Sequence, residues 1–157
     1  MSITITLADW LGKYLEHPDA TSEVRAAAES MLDKVNQLRA AATASGLVLV
    51  SNPATGCGVS GNGNGGFRPC DCSVGAAGSR HKDGHAVDSY DPHRTFARWC
   101  LQHPAALDRL GLHMEDPRWT PTWTHLQDVP PKSGRRVFIP SCAPLAPALP
   151  EQAAGAL

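Results

Sequence analysis

Two histidines and an aspartate, set in two short segments far apart in the chain, constrain this sequence most. Ser79, His81, Gly84, Ala86 and Asp88 occupy the first segment, and Trp123, His125 and Gln127 the second, with His125 lying 37 residues beyond Asp88. Zinc binds neutral imidazole nitrogens and carboxylate oxygens at about 2.0–2.2 Å, and a site with three protein ligands keeps a fourth position for chemistry. If His81, Asp88 and His125 share one ion, any fold of this chain must bring the two segments together. Zn2+ is accordingly the expected cofactor.

The spacing Ser79-x-His81-x-x-Gly84-x-Ala86-x-Asp88, followed by the distal His125, resembles the signature of the M15 zinc peptidases, the D-Ala-D-Ala carboxypeptidase and L-alanyl-D-glutamate endopeptidase type. Upstream, Gly66-Phe67-Arg68-Pro69 is similar to a Gly-x-Arg-Pro segment of that family, and the resemblance spans roughly residues 35 to 140. It implies an α+β fold in which helices flank a small antiparallel sheet carrying the zinc site. It also implies hydrolysis of bacterial peptidoglycan peptides, with Arg68 and Ser79 orienting substrate. Single-domain members of this size occur in bacteriophages as endolysins or virion parts, so the implied partners are the peptidoglycan peptide and, in a virion, phage tail proteins.

One position departs from the pattern. Where the family carries a glutamate as general base, three residues before the distal histidine, this chain has Thr122, which cannot take a proton from water. Glu115 and Asp116 are the nearest acids and stand as the candidate catalytic bases. The departure keeps a second reading open, a non-catalytic or weakly active zinc-binding module of a phage tail or baseplate.

Composition narrows the classes. A chain of 157 residues, 42% apolar and 18% charged, is expected to form one domain, here 1–142 with a helical part over 1–46 and an Ala/Pro-rich tail over 143–157. No apolar run approaches the roughly 18 residues of a membrane helix. A net charge of −1 argues against nucleic acid, because phosphate neutralisation needs clustered Lys and Arg. The first residues lack the basic and apolar regions of a secretory signal, so the expectation is synthesis in the cytoplasm. Five cysteines, Cys57, Cys70, Cys72, Cys100 and Cys142, form an odd set that disfavours a full disulfide framework. Mostly free thiols are expected, and a second zinc site on Cys57, Cys70 and Cys72 is disfavoured by the Cys-x-Cys spacing.

Local patterns set the remaining expectations. Apolar spacing and the Thr6/Asp9 capping box predict a helix over residues 7 to 16, and a second runs from Ser22 to near Gly46. Leu47–Val50 reads as a buried strand leading into the site. Residues 51 to 66, with Gly61, Gly63, Gly65 and Gly66, are too glycine-rich for regular structure and read as a substrate lid or a disordered loop. The run is no phosphate loop, since no Gly-Lys-Ser/Thr follows. Asp91-Pro92 predicts a helix start, Pro104 another, and Val137–Ile139 a strand. Alternation places Trp123, His125 and Gln127 on one strand face that looks into the cleft. His85, His93, His103 and His113 read as surface or supporting residues, with His113 the first alternative ligand. Trp119 and Trp123 read first as core or rim packing, with cleft lining as the alternative.

Overall fold

The computed structural model describes residues 4–140; the tail expected over 143–157 and Cys142 lie outside the described residues. Helix α1 (Leu7–Leu11) opens with the capping box, Thr6 Oγ accepting from the Asp9 N–H while the Asp9 carboxylate accepts from the Thr6 N–H. It is shorter than predicted. Gly12, at φ +52°, ends the α-helix, and Gly12–Tyr14 continues as a single 3-10 turn. Helix α2 (Ser22–Ala44), capped by Thr21, buries Ala28, Met31, Leu32, Val35, Leu38 and Ala42 along one stripe.

Four strands follow, β1 (Ala86–Tyr90), β2 (His113–Glu115), β3 (Trp123–Gln127) and β4 (Val137–Phe138), in the order β1-β3-β2-β4. Helices α3 (Thr95–Gln102) and α4 (Pro104–Leu110) lie between β1 and β2 in the chain. The α+β class holds, but the sheet is mixed rather than antiparallel. The turn after Pro130 reverses the chain, yet both edges of β3 are already occupied by β1 and β2. Strand β4 therefore joins the outer edge of β2, and it runs parallel to β2 because β2 is itself antiparallel to β3.

Alternation divides the sheet into two chemistries. Val87, Leu126 and Met114 are fully buried among the core residues, whereas Asp88, His125 and Gln127 turn to the other face. Each such buried side chain stabilises by about 1.5–3 kcal/mol. A one-residue slip of β1 on β3 would move Val87 and Leu126 out of the core, so packing holds the register that sets Asp88 opposite His125.

Two expectations fail. Residues 47–50 form no strand; Val48 is 78% exposed, because α2 ends on the surface and the chain runs over it before turning at Asn52. Residues 51–66 are neither a lid nor disordered. They make the outer edge of β1, with the Ser60 N–H donating to Asp88 O, the Asp88 N–H to Gly65 O and the Tyr90 N–H to Gly58 O. The Asn52 amide closes the loop by donating to the carbonyls of Val59 and Gly61. The Asp91-Pro92 start is also displaced, since α3 begins at Thr95 after Arg94 in a left-handed conformation. Asp91 still caps it, its carboxylate accepting from the N–H groups of Phe96 and Ala97.

Candidate metal centre

Because the Asp88 backbone N–H and C=O bond to the glycine-rich loop, they point away from β3. Asp88 and His125 are thus a non-hydrogen-bonded cross-strand pair, the arrangement in which facing side chains lie closest. His125 Nδ1 sits 2.7 Å from Asp88 Oδ1, and His81 Nε2 lies 3.4 Å from the same oxygen. One ligand atom from each of these three buried residues lies within 4.8 Å of the others. The two imidazole rings are 5.2 Å apart between centroids.

His81 reaches this cluster from the turn before β1, not from the sheet. Gly84, at φ +89°, permits the turn, and a side chain there would strike the carbonyl of Val24 in α2. The His81 Nδ1–H donates to Gly66 O at 2.7 Å, which leaves a lone pair on Nε2 facing Asp88. Gly66 is itself confined, since a Cβ there would fall 1.9 Å from the Trp10 carbonyl oxygen. The Trp10 indole N–H donates to Ala86 O, so α1 braces both the loop and β1.

The donor set fits a divalent cation. Ligands at about 2.1 Å in a tetrahedron lie roughly 3.4 Å from each other, which matches His81 Nε2 to Asp88 Oδ1 at 3.4 Å, while His125 Nδ1, hydrogen-bonded to that oxygen at 2.7 Å, would open by several tenths of an ångström around an ion. The His81 lone pair aimed at a carboxylate oxygen calls for a positive centre between them. Electrostatics agree: burial opposes charge on Asp88, but His81 and His125 outweigh it and hold the carboxyl far below the usual carboxylate range. Burial pushes His81 down, whereas on His125 burial is overcome by the bond and charge of Asp88, with Glu115 adding, so that its pKa rises.

Around the cluster opens a cleft of about 660 Å³ lined by residues that include Arg68, Ser79, Glu115, Trp123, Gln127 and Phe138. Arg68 donates through Nη2 to Asp88 Oδ2 at 3.0 Å and through Nε to Asn64 O at 2.6 Å. Ser79 Oγ accepts from the His81 N–H at 3.4 Å, and its backbone closes the turn. Glu115 shares the cleft face because β2 pairs His113 with Gln127, and two residues on the same face recurs. Burial raises the Glu115 pKa, His125 and Arg68 lower it, and Asp88 raises it further, for a net rise. Asp116 points elsewhere; its carboxylate is bonded to the Arg118 guanidinium at 3.0 and 2.8 Å. Thr122 is exposed.

His113 is committed away from the cluster, with Nδ1 on Arg135 O at 3.0 Å and Nε2 beside the Arg136 guanidinium at 3.2 Å. Trp123 lines the cleft, as the alternative reading had it, while Trp119 is half-buried outside it. Cys57, Cys70, Cys72 and Cys100 are free thiols, and burial raises the pKa of Cys100. A second grouping, His17, Asp19 and Asp71, lies on the surface, where Asp19 Oδ2 accepts from the Cys70 N–H at 2.8 Å. Sequence reading did not find the Gly66 and Asn64 carbonyls that hold His81 and Arg68. Backbone acceptors carry no residue-type signal, and only the density of glycines marked the segment. No helix of the described residues is long and apolar enough to cross a membrane.

Comparison with protein-family models, with curated proteins and with solved structures finds no match for this chain.

Proposed function

We propose that this chain is a zinc-dependent peptidase that cleaves peptide bonds of bacterial peptidoglycan, as its resemblance to the M15 peptidases implies. The observation that carries the reading is the position of Glu115. An acid with a raised pKa lines the same cleft as the buried His81, Asp88 and His125, although the usual place for it in the sequence holds Thr122. Perturbed acids beside a metal-binding group in a cleft mark sites of proton transfer.

Zinc bound by the three residues supplies a Lewis acid for the scissile carbonyl and brings the pKa of water to about 7. The Glu115 carboxylate takes the proton of the attacking water and returns it to the leaving amine nitrogen as the C–N bond breaks. Arg68 orients Asp88 through Nη2, and its Nη1, which has no hydrogen-bond partner among the described residues, meets a substrate oxygen. Gly75 makes room for that group, since a Cβ there would fall 2.5 Å from Nη1. Ser79 holds the turn that presents His81. Trp123 and Phe138 line the cleft with apolar surface and exclude water. A role as a phage lysis enzyme or virion component, acting at the cell wall, belongs to the same proposal.

Digestion of purified peptidoglycan by the zinc-loaded protein, with new amino groups counted and products identified by mass, tests this reading. Release by the wild type and none by His125→Ala is expected. Equal release from both overturns the metal chemistry, and zinc binding without any release favours the non-catalytic module.

A further inference from the structure

Gln127 faces the Nε2 side of the His125 ring. This side chain is 6% exposed and lies beside His125, and its two amide ends meet two different partners. Nε2 of Gln127 lies 2.5 Å from the Val129 carbonyl oxygen, and Oε1 lies 3.3 Å from His125 Nε2. A backbone carbonyl can only accept, so the end of the amide facing Val129 must be its NH2 group. The oxygen is then left against His125. An amide oxygen can only accept as well, so the facing ring nitrogen of His125 must carry its hydrogen. Asp88 Oδ1, 2.7 Å from Nδ1, accepts too, so without a cation Nδ1 carries a hydrogen of its own; that Nδ1 hydrogen, on the side shared with Asp88 and His81, is the one a cation would displace, leaving Nε2–H with Gln127.

We infer that Gln127 is a positioning residue: it fixes the His125 tautomer and ring orientation so that Nδ1 is the metal ligand. His81 reaches the opposite outcome by a different device, since the Gly66 carbonyl takes its Nδ1–H and exposes Nε2. One imidazole therefore binds through each type of nitrogen, and each is held by an acceptor on its other nitrogen. Partners of this kind orient metal-bound histidines, and their loss lowers metal affinity by about 10–100-fold. The inference rests on the metal reading of the site and adds a residue outside the ligand set.

Zinc affinity is measured by competition with a chromogenic chelator for the wild type, Gln127→Leu and Gln127→Glu, and long-range 1H–15N spectra of the zinc-loaded proteins assign the His125 ring. The wild type is expected to carry its proton on Nε2. Gln127→Leu, of similar size without an acceptor, is expected to bind zinc about 10–100-fold more weakly and to lose the protected Nε2–H signal, with an unchanged circular dichroism spectrum. Gln127→Glu keeps an acceptor for that proton and is expected to recover most of the affinity. Wild-type affinity in Gln127→Leu, a proton on Nδ1 in the wild type, or equal losses in the Leu and Glu variants would each overturn the assignment. A wild type that binds no zinc overturns the metal reading together with it. A wild type that binds zinc but releases nothing from peptidoglycan overturns the peptidase reading and leaves the role of Gln127 standing.

Discussion

Two groups of metal-capable side chains occur among the described residues, and they differ in what holds them. His81, Asp88 and His125 are buried, two of them paired across strands whose register the core enforces, and their outer atoms are bonded to Gly66, Arg68 and Gln127. His17, Asp19 and Asp71 sit on surface turns, with Asp71 exposed. In the first group, burial is costly to charge; Arg68 pairs with Asp88 Oδ2, and the oxygen facing both imidazoles is left to shared protons or a cation. In the second, the groups are partly open to water, His17 Nδ1 accepts from the Asp19 N–H, and Asp19 accepts from the Cys70 N–H. Proximity of ligand atoms is common to both; preorganisation belongs to the first alone.

The largest effects should separate the two groups outright. Glu115→Gln keeps zinc stoichiometry but lowers kcat on peptidoglycan fragments by about 10²–10⁴-fold, the usual contribution of a positioned base. His125→Ala, assayed by chelator competition, weakens zinc binding by more than the roughly 100-fold of an outer partner's loss. A bound zinc of unchanged affinity in His125→Ala would move the metal to the surface group and erase the distinction.

Next comes the brace behind the buried group. Gly66→Ala forces a Cβ onto the Trp10 carbonyl and displaces the acceptor of His81. It should cost about 3 kcal/mol in urea melts, at the upper end of overpacking penalties, and weaken zinc binding as well. A neutral result would show that the loop is not the support described.

With a chelator present, pH should sharpen the contrast further. The folded pKa of His125 is raised above its ordinary 6.5, so its contribution to stability is complete below 6.5 and is lost as pH rises through the folded value. Asp88 is depressed below its ordinary 3.8, so its contribution is present above 3.8 and is lost as pH falls toward the folded value. The metal-free melting temperature should therefore drop as pH rises past the folded value of His125 and as it falls below 3.8, with His81, held below 6.5, already lowering it as pH falls through 6.5. The scale is about 2–4 °C per kcal/mol, and Asp88→Asn should flatten the limbs owed to Asp88 and His125. The smallest effect is expected at the surface. His17→Ala and Asp19→Asn should change neither zinc stoichiometry nor, beyond about 0.5 kcal/mol, stability.

Legibility in the sequence followed the range of the interactions. The Thr6/Asp9 cap, the α2 stripe, the Pro104 start and the β3 alternation depend on residues a turn or less apart, and each lies where its pattern indicated. Leu47–Val50 misled because an apolar alternating run forms a strand only if a neighbour offers its edge; here Leu47 and Leu49 pack on the core while Val48 and Val50 face solvent with no strand beside them. The glycine-rich run misled in the opposite direction. Its composition signals freedom, yet the glycines are there because Ser60 and Trp10 carbonyls occupy the space of any side chain at Gly65 and Gly66. Glu115 and Asp116 were indistinguishable as neighbours in the chain. Strand alternation turns one to the cleft and leaves the other to Arg118.

By itself, the order of residues pointed to His81, Asp88 and His125 as a donor set, because side-chain type sets ligand chemistry and their spacing resembles that of a known family. It determined α2 and the start of α4 as well, because capping and periodicity are local, whereas the end of α1 and the start of α3 shifted. Only the tertiary structure decided that the three donors meet, that Glu115 joins them, and that Gly66 and Gln127 face the two rings. Those outcomes depend on strand register and backbone direction, which are set by burying Val87, Met114 and Leu126 against distant helices.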